Sequence, residues 1–132
     1  MSSYTLTQLE DAIRASWGPD TVDPDDGWSP ENPARGHCDV TCLVVNDLVG
    51  GELMASDVYL GDERIMGHMW NRLPSGLEVD LTREQFTDGE ELRNATAHQR
   101  PATFEPSHPR QHRYEQYLVL AARVRGRLGL PD

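Results

Sequence analysis

The change of hydrophobic period at Gly50-Gly51 is the feature that most constrains the fold of this chain. Before it, residues 38–49 repeat apolar side chains at helical spacing, and the paired glycines are a good helix stop. The β-branched content of this run is also compatible with a strand, but the spacing favours a buried helix. Three strand-like runs follow, at residues 52–60, 63–73 and 77–82. Their short Gly and Pro turns predict antiparallel hairpins.

Helical patterns flank this centre on both sides. Residues 5–17 carry apolar side chains at helical spacing, with Thr7 and Glu10 in a capping-box pattern. Residues 109–128 form a last predicted helix that starts at Pro109. Its predicted buried stripe consists of Tyr114, Tyr117, Leu118, Ala121, Val124 and Leu128.

The remaining segments connect these elements. Residues 18–36 and 93–108 read as irregular, and Thr82 with Gln85 predicts a short helix or turn. The 132 residues fit one domain. The prediction is therefore α+β, with N-terminal helices packed on a small antiparallel sheet and a C-terminal helix.

The charge balance restricts the partners. The chain has 22 acidic residues against 12 basic ones, a net charge of −10, which argues against nucleic acid. Residues 109–132 reverse this sign, with five arginines against two acidic residues. The simplest interpretation is a solvated helix face. The alternative is contact with an acidic surface of this chain or of another protein.

Location is constrained by two absences. Residues 1–25 show no secretory signal, and no apolar run approaches a membrane span. Cys38 and Cys42 are four residues apart, a spacing that does not favour a disulfide on a helix. A reduced cytoplasmic protein is expected.

Cys38 is the strongest candidate for chemistry. It stands where a Pro/Gly-rich loop enters the predicted helix, and a helix N-terminus favours the thiolate. His68 is the candidate base, and Asp80 lies across the next turn as its orienting acceptor, with Asn71 as a second choice. Asn32 and the Cys38 backbone N–H are candidate oxyanion donors. The order Cys, His, Asp is that of papain-like and transglutaminase-like enzymes.

Structural alternatives stand beside these roles. Cys38 and His68 are also compatible with ordinary core positions, and Asp80 with a cap for the turn at Thr82. Cys42 is expected in the core. Surface positions are expected for four further histidines: His37, His98, His108 and His112. A zinc site of Cys38 and Cys42 with His37 or His68 is a weaker hypothesis, because the two-residue cysteine spacing is missing.

Four separated motifs add a family resemblance. They are WSPENPARGHCDVT at 28–41, GGE at 50–52, GHMWN at 67–71 and VDLTREQF at 79–86. In this order they resemble the YunG-like family of small bacterial proteins. The resemblance implies a compact bacterial protein with a Cys–His–Asp set, and by motif it extends to Asn32, Cys38, His68, Asn71 and Asp80. The family pattern has Gln before the cysteine, whereas this chain has His37.

These observations leave three functional hypotheses. The first is a cysteine-dependent hydrolase or acyltransferase that acts on an amide, ester or thioester of a small molecule or peptide. It needs no cofactor and no metal, and Trp28, His37 and Trp70 are its expected substrate-binding side chains. The second is a non-catalytic binding module with a pocket near Trp28 and Trp70. The third is an accessory or immunity-type protein whose acidic surface meets a basic protein partner.

Overall fold

The computed structural model describes residues 4–23, 27–98 and 111–131. It has three α-helices: α1 (Leu6–Ser16), α2 (Cys38–Val49) and α3 (Gln111–Leu128). Its four strands are β1 (Glu52–Leu60), β2 (Glu63–Arg72), β3 (Glu78–Val79) and β4 (Glu91–His98). Short 3-10 turns lie at Pro19–Thr21 and Arg83–Gln85. The predicted α+β class is confirmed.

The sheet is antiparallel, in the order β3-β2-β1-β4. The predicted hairpin of β1 and β2 forms, with Leu60 opposite Glu63 at its tip. β3 is shorter than predicted and pairs only with Asn71 and Arg72, at the end of β2. The preceding part of β2 therefore has a strand neighbour on one side only, and this is where the site lies.

Helix α2 begins and ends where the sequence predicts. Gly50 and Gly51 both have positive φ, at 76° and 91°. A Cβ on Gly51 would lie 2.2 Å from the Arg72 carbonyl oxygen, so only glycine fits there. This tight turn brings the C-terminal end of α2 close to the end of β2.

The core lies between the sheet and the helices. Helix α3 contacts both α1 and α2, while α2 contacts β1 and β2. Fully buried members of the core cluster include Leu9, Ile13, Val40, Val45, Leu120 and Val124. The cysteine of α2 expected in the core, Cys42, is indeed 1% exposed there. Helix α2 therefore packs against both the sheet and another helix.

Two predictions at the C-terminal end are wrong. Residues 93–98, predicted to be irregular, belong to strand β4, because their mostly polar side chains are part of an exposed edge strand. Residues 99–108 of that prediction, which include His108, lie outside the described residues, as do Pro109 and Arg110 at the start of the predicted last helix. In α3, Leu118 is 47% exposed, and Leu120 takes the buried position.

The two capping predictions also need correction. The α1 box is formed by Thr5 and Gln8, not by Thr7 and Glu10. A 3-10 turn does follow Thr82, but the Thr82 side chain makes no cap hydrogen bond. The capping pair is shifted in α1, whereas the turn after Thr82 forms without a side-chain cap.

The arginines of α3 meet acidic residues of this chain. Arg113 is fully buried and binds the Asp39 carboxylate, and Arg123 pairs with Asp20. For these two residues the contact with an acidic surface of the same chain is confirmed. None of the described helices is long and apolar enough to cross a membrane.

Candidate active site

A pocket of about 540 Å³ opens beside the N-terminus of α2. Both Cys38 and His68 line it. Cys38 is the first residue of α2, and the residue is partly exposed although its thiol is buried. Its thiol sulfur accepts a hydrogen bond from the backbone N–H of Met69, the residue after His68. The thiol therefore lies at the edge of β2 that β3 leaves uncovered.

His68 and Asp80 form the most definite contact of the site. His68 Nε2 lies 2.7 Å from Asp80 Oδ2. The register explains this approach, because β3 pairs Val79 with Asn71 and so brings the next residue, Asp80, diagonally opposite His68. The alternative that Asp80 serves only to cap the turn at Thr82 does not account for this hydrogen bond.

Aromatic rings fix the imidazole in place. The His68 ring stacks on Trp70 at 5.7 Å between centroids and meets Phe86 edge to face at 4.9 Å. His68 is 1% exposed, and its Nδ1 atom is buried with no hydrogen-bond partner among the described residues. An ionised carboxylate only accepts hydrogen bonds, so Nε2 donates to Asp80 and a neutral ring keeps its lone pair on Nδ1. The site thus holds a buried imidazole with an unused acceptor atom.

The thiol itself is not activated in this arrangement. Burial raises the pKa of Cys38 to about 12, with a further contribution from the negative charge of Asp39. The Met69 N–H and the charge of Arg113 act in the opposite direction but do not compensate. The net shift is therefore opposite to the thiolate that the helix N-terminus was expected to favour. At neutral pH Cys38 is a thiol, and any nucleophilic role requires a base.

The two asparagines of the predicted set lie outside the pocket lining. Asn71 donates to the Cys42 carbonyl at 2.9 Å and faces α2, since residues 68 and 71 point to opposite faces of a strand. It therefore does not orient His68. Asn32 donates to the Gln85 carbonyl at 3.2 Å, which ties the loop before α2 to the turn after β3.

The two tryptophans also do not line the pocket. Trp70 packs on His68 and donates from Nε1 to Glu78 at 2.7 Å. Trp28 is half-buried in the loop before α2. The structure therefore gives Trp70 a supporting position behind the imidazole and separates both rings from the cavity.

His37 is buried, contrary to the predicted surface position. Its Nδ1 lies 2.7 Å from the Pro33 carbonyl and its Nε2 lies 2.6 Å from the Thr21 hydroxyl. The ring also stacks on Trp17 at 5.2 Å. Burial lowers the pKa of His37 to about 4. Both ring nitrogens are engaged, so His37 secures the loop onto α2. Of the other three histidines, His98 is exposed as predicted, and the side chains of His108 and His112 lie outside the described residues.

The zinc hypothesis finds no geometry in its favour. In the described parts of the chain, no group of three or more His, Cys, Asp and Glu residues is placed to hold a metal ion. Cys38 and Cys42 are both free, and the Cys42 thiol donates to the Asp39 carbonyl at 3.2 Å. That thiol is directed into its own helix.

Sequence analysis missed several residues of this site. Arg113 joins the first turn of α2 to the preceding loop by binding Asp39 and the Gly36 carbonyl. On the opposite wall, Arg64 and Asp57 line the pocket. The sequence could have indicated that Arg64 and Asp57 meet across the β1–β2 hairpin. Their position near Cys38 depends on how α2 packs on the sheet, and the sequence carries no local signal for that.

Comparison with known proteins identifies a family. The family model described as YunG protein matches residues 5–129, which is nearly the whole chain. No curated protein and no solved structure match it. The chain therefore belongs to the YunG protein family.

Proposed function

We propose that this member of the YunG family is a cysteine-dependent hydrolase or acyltransferase that acts on an amide, ester or thioester. The observation that carries the proposal is the buried Nδ1 of His68, unpartnered while Asp80 holds the opposite nitrogen at 2.7 Å, in a pocket shared with Cys38. A buried acceptor without a partner is costly, and such atoms concentrate where function requires them. The Cys, His, Asp order and the loop–helix setting of the thiol support a papain-like or transglutaminase-like arrangement.

In the proposed reaction, the protonated Cys38 thiol passes its proton to Nδ1 of His68 as sulfur attacks the carbonyl carbon. A carbon–sulfur bond forms, and the carbonyl π electrons move onto oxygen. Collapse of this intermediate breaks the bond to the leaving amine, alcohol or thiol, which takes the proton from His68. Water or an amine then attacks the acyl-sulfur bond, and Cys38 is released.

The raised thiol pKa makes the base essential to this scheme. With a pKa of about 12, only a very small fraction of Cys38 is ionised at neutral pH. Asp80 stabilises the imidazolium that forms when His68 takes the proton. The Cys38 backbone N–H is the proposed oxyanion donor, because the first N–H groups of a helix have no partner within it. Asn32 and Asn71 act in this proposal as scaffold residues.

The test is covalent acylation of Cys38. The protein is incubated with activated esters and thioesters, and intact-mass and peptide-mass measurements locate the acyl group. We expect an adduct on Cys38 that C38A abolishes and that H68Q slows by about 100-fold or more. The matched control is C42A, which removes the buried cysteine four residues later and should retain the adduct.

The proposal fails if H68Q acylates as fast as the parent protein, or if C38A does. One observation favours the alternative of a non-catalytic binding module, namely that burial keeps Cys38 protonated. In that case no ester or thioester acylates Cys38 in the folded protein. The pocket then binds its ligand through hydrogen bonds and packing alone.

A further inference from the structure

We infer that the outer wall of the Cys38 pocket is a carboxylate-binding subsite formed by the guanidinium of Arg64. The inference rests on the proposed function and names its substrate class: acyl compounds that carry a carboxylate in addition to the reacting carbonyl. Arg64 is the only arginine or lysine among the described residues that line this pocket. It lies on β2, the strand that also carries His68.

The Arg64 side chain is held by its neighbours on the sheet. Its Nε donates to Asp57 Oδ1 at 2.8 Å. The other oxygen of Asp57 accepts from the Asn94 amide at 3.0 Å, and all three side chains line the pocket. These two hydrogen bonds lower the pKa of Asp57, which remains ionised as a support. This bond at Nε leaves the two Nη atoms on the free edge of the guanidinium.

The terminal nitrogens of Arg64 are available. Neither Nη atom has a hydrogen-bond partner among the described residues. Nη2 lies 3.7 Å from the point that a Cβ on Gly67 would occupy. Gly67 itself lines the pocket, so this end of the guanidinium extends along the pocket wall formed by β2. A side chain at residue 67 would compete for this space.

The chemistry of the free edge selects a planar anion. Two parallel N–H groups of a guanidinium match the two oxygens of a carboxylate. Asp57 cancels the charge of Arg64 at a distance, so the subsite offers directional hydrogen bonds more than a long-range field. The other charged wall residue, Asp39, is already bound by Arg113. A carboxylate in the pocket therefore has one cationic partner, Arg64.

The experiment compares two acylating esters that differ in one charge. Mono-4-nitrophenyl glutarate carries the carboxylate, and its methyl ester is the neutral control. We expect the parent protein to favour the acid by about tenfold in the rate of Cys38 acylation, and R64Q to lose that preference. R93Q is the matched control, because Arg93 is another arginine of the sheet that pairs with Glu91 outside the pocket. It should keep the preference.

A binding measurement separates this inference from the proposed reaction. The ¹⁵N resonance of Arg64 Nε is followed while glutarate, glutaramide or inorganic phosphate is added. We expect a saturable shift with glutarate only. Equal responses to phosphate and glutarate would make the site a general anion site and overturn the carboxylate class.

The outcomes of the two measurements are distinct. Acylation of Cys38 with no preference for the acid, together with no glutarate shift, overturns the subsite and leaves the proposed function standing. A glutarate shift at Arg64 without any acylation supports carboxylate binding and overturns the proposed reaction.

Discussion

The hydrogen bond between His68 Nε2 and Asp80 determines which imidazole nitrogen keeps a lone pair. Asp80 accepts at 2.7 Å, so the proton of a neutral ring stays on Nε2 and Nδ1 remains the acceptor. Stacking against Trp70 and Phe86 prevents the ring from reversing these positions. The role proposed for His68 therefore depends on its partner as much as on the ring.

Asp80→Asn tests this dependence because it should slow acylation of Cys38 without slowing its alkylation. An asparagine amide can donate to Nε2 and so favour the wrong tautomer, and we expect acylation of Cys38 to fall by about 100-fold or more. The negative charge of Asp80 also contributes to the raised pKa of Cys38, so its removal should not slow alkylation by iodoacetamide at high pH. Both rates are measured on the same variant by mass spectrometry.

Asp62→Asn is the control, since Asp62 lies exposed in the β1–β2 turn. It should change neither rate. If D80N slowed alkylation and acylation equally, general disruption of the pocket would explain both, and the tautomer argument would be lost.

His37 predicts a specific acid sensitivity of the fold. Its pKa is lowered to about 4 by burial, against about 6.5 in an unfolded chain. The unfolded state therefore binds the proton first as pH falls. Stability that is complete above about pH 6.5 should decline towards pH 4, by about 3 kcal/mol in total.

Urea unfolding at several pH values measures this decline. H37Q should flatten the slope of stability against pH between about 6.5 and 4, whatever its effect on stability at pH 7. H98Q, which removes an exposed histidine, should retain the slope. An unchanged slope in H37Q would show that another group causes the acid sensitivity.

Sequence reasoning was most effective at single residues whose chemistry is local. The approach of Asp80 to His68 follows from the short turn between two strands, and the structure has it as expected. The burial of His37 and the raised pKa of Cys38 did not follow, because both depend on how the loop before α2 packs on distant residues. The helix N-terminus was visible in the sequence, whereas the desolvation that outweighs it was not.

Helix α3 carries two arginines with very different environments. Arg113 is fully buried and binds Asp39 together with the Thr21 and Gly36 carbonyls. Arg123 pairs with Asp20, and both of these side chains are more than a third exposed. A buried charge left without its partner is costly, whereas an exposed pair contributes little.

R113Q and R123Q therefore form a matched test on one helix. We expect R113Q to lower the free energy of unfolding by about 3–5 kcal/mol, because Asp39 and two carbonyls lose their donor. R123Q should cost less than about 1 kcal/mol. Urea denaturation followed by circular dichroism measures both. Equal losses would mean that Arg113 does not act as a buried structural charge.

Helices and strands were predicted less well where contacts with neighbouring elements determine the structure. Helix α2 was predicted to its ends because apolar spacing and the double glycine are local signals. Strand β4 was missed because its polar sequence becomes a strand only by pairing with β1. In α3, Leu118 was predicted to be buried but is exposed, and Leu120 is buried instead. The face of α3 that packs against α1 and α2 is determined by tertiary contacts.

The whole molecule has two layers that share α2. Trp17 belongs to the helical layer, where its Nε1 donates to Thr41 of α2 at 3.0 Å. Trp70 belongs to the sheet, which Asn71 joins to the same helix. Because α2 is part of both layers, unfolding of either layer removes contacts from the other.

We expect a single cooperative unfolding transition as a result. Trp17→Phe leaves Trp70 as a reporter of the sheet, and Trp70→Phe leaves Trp17 as a reporter of the helices, with Trp28 present in both. In each variant the fluorescence midpoint in urea should coincide with the far-ultraviolet circular dichroism midpoint. Separate midpoints would show that the layers unfold independently.

At the scale of the whole molecule, the sequence pattern predicted the class of the fold, whereas the charge balance did not identify a partner. The α+β order follows from the order of helical and strand-like segments along the chain. The family match at residues 5–129 covers nearly all of these segments. The acidic balance still predicts a basic protein partner, and that remains a prediction. Part of the charge is used internally, as the pairs of Arg113 and Arg123 show.

The contact of Arg113 with Asp39 has a consequence for biosynthesis. The proposed nucleophile, base and carboxylate are all translated before residue 81, yet the residue that anchors the first turn of α2 follows more than thirty positions later. During synthesis, Asp39 has no buried counter-charge until α3 has left the ribosome. The contact that fixes the first turn of α2 therefore forms only after α3 docks, so the proposed site is completed late in translation.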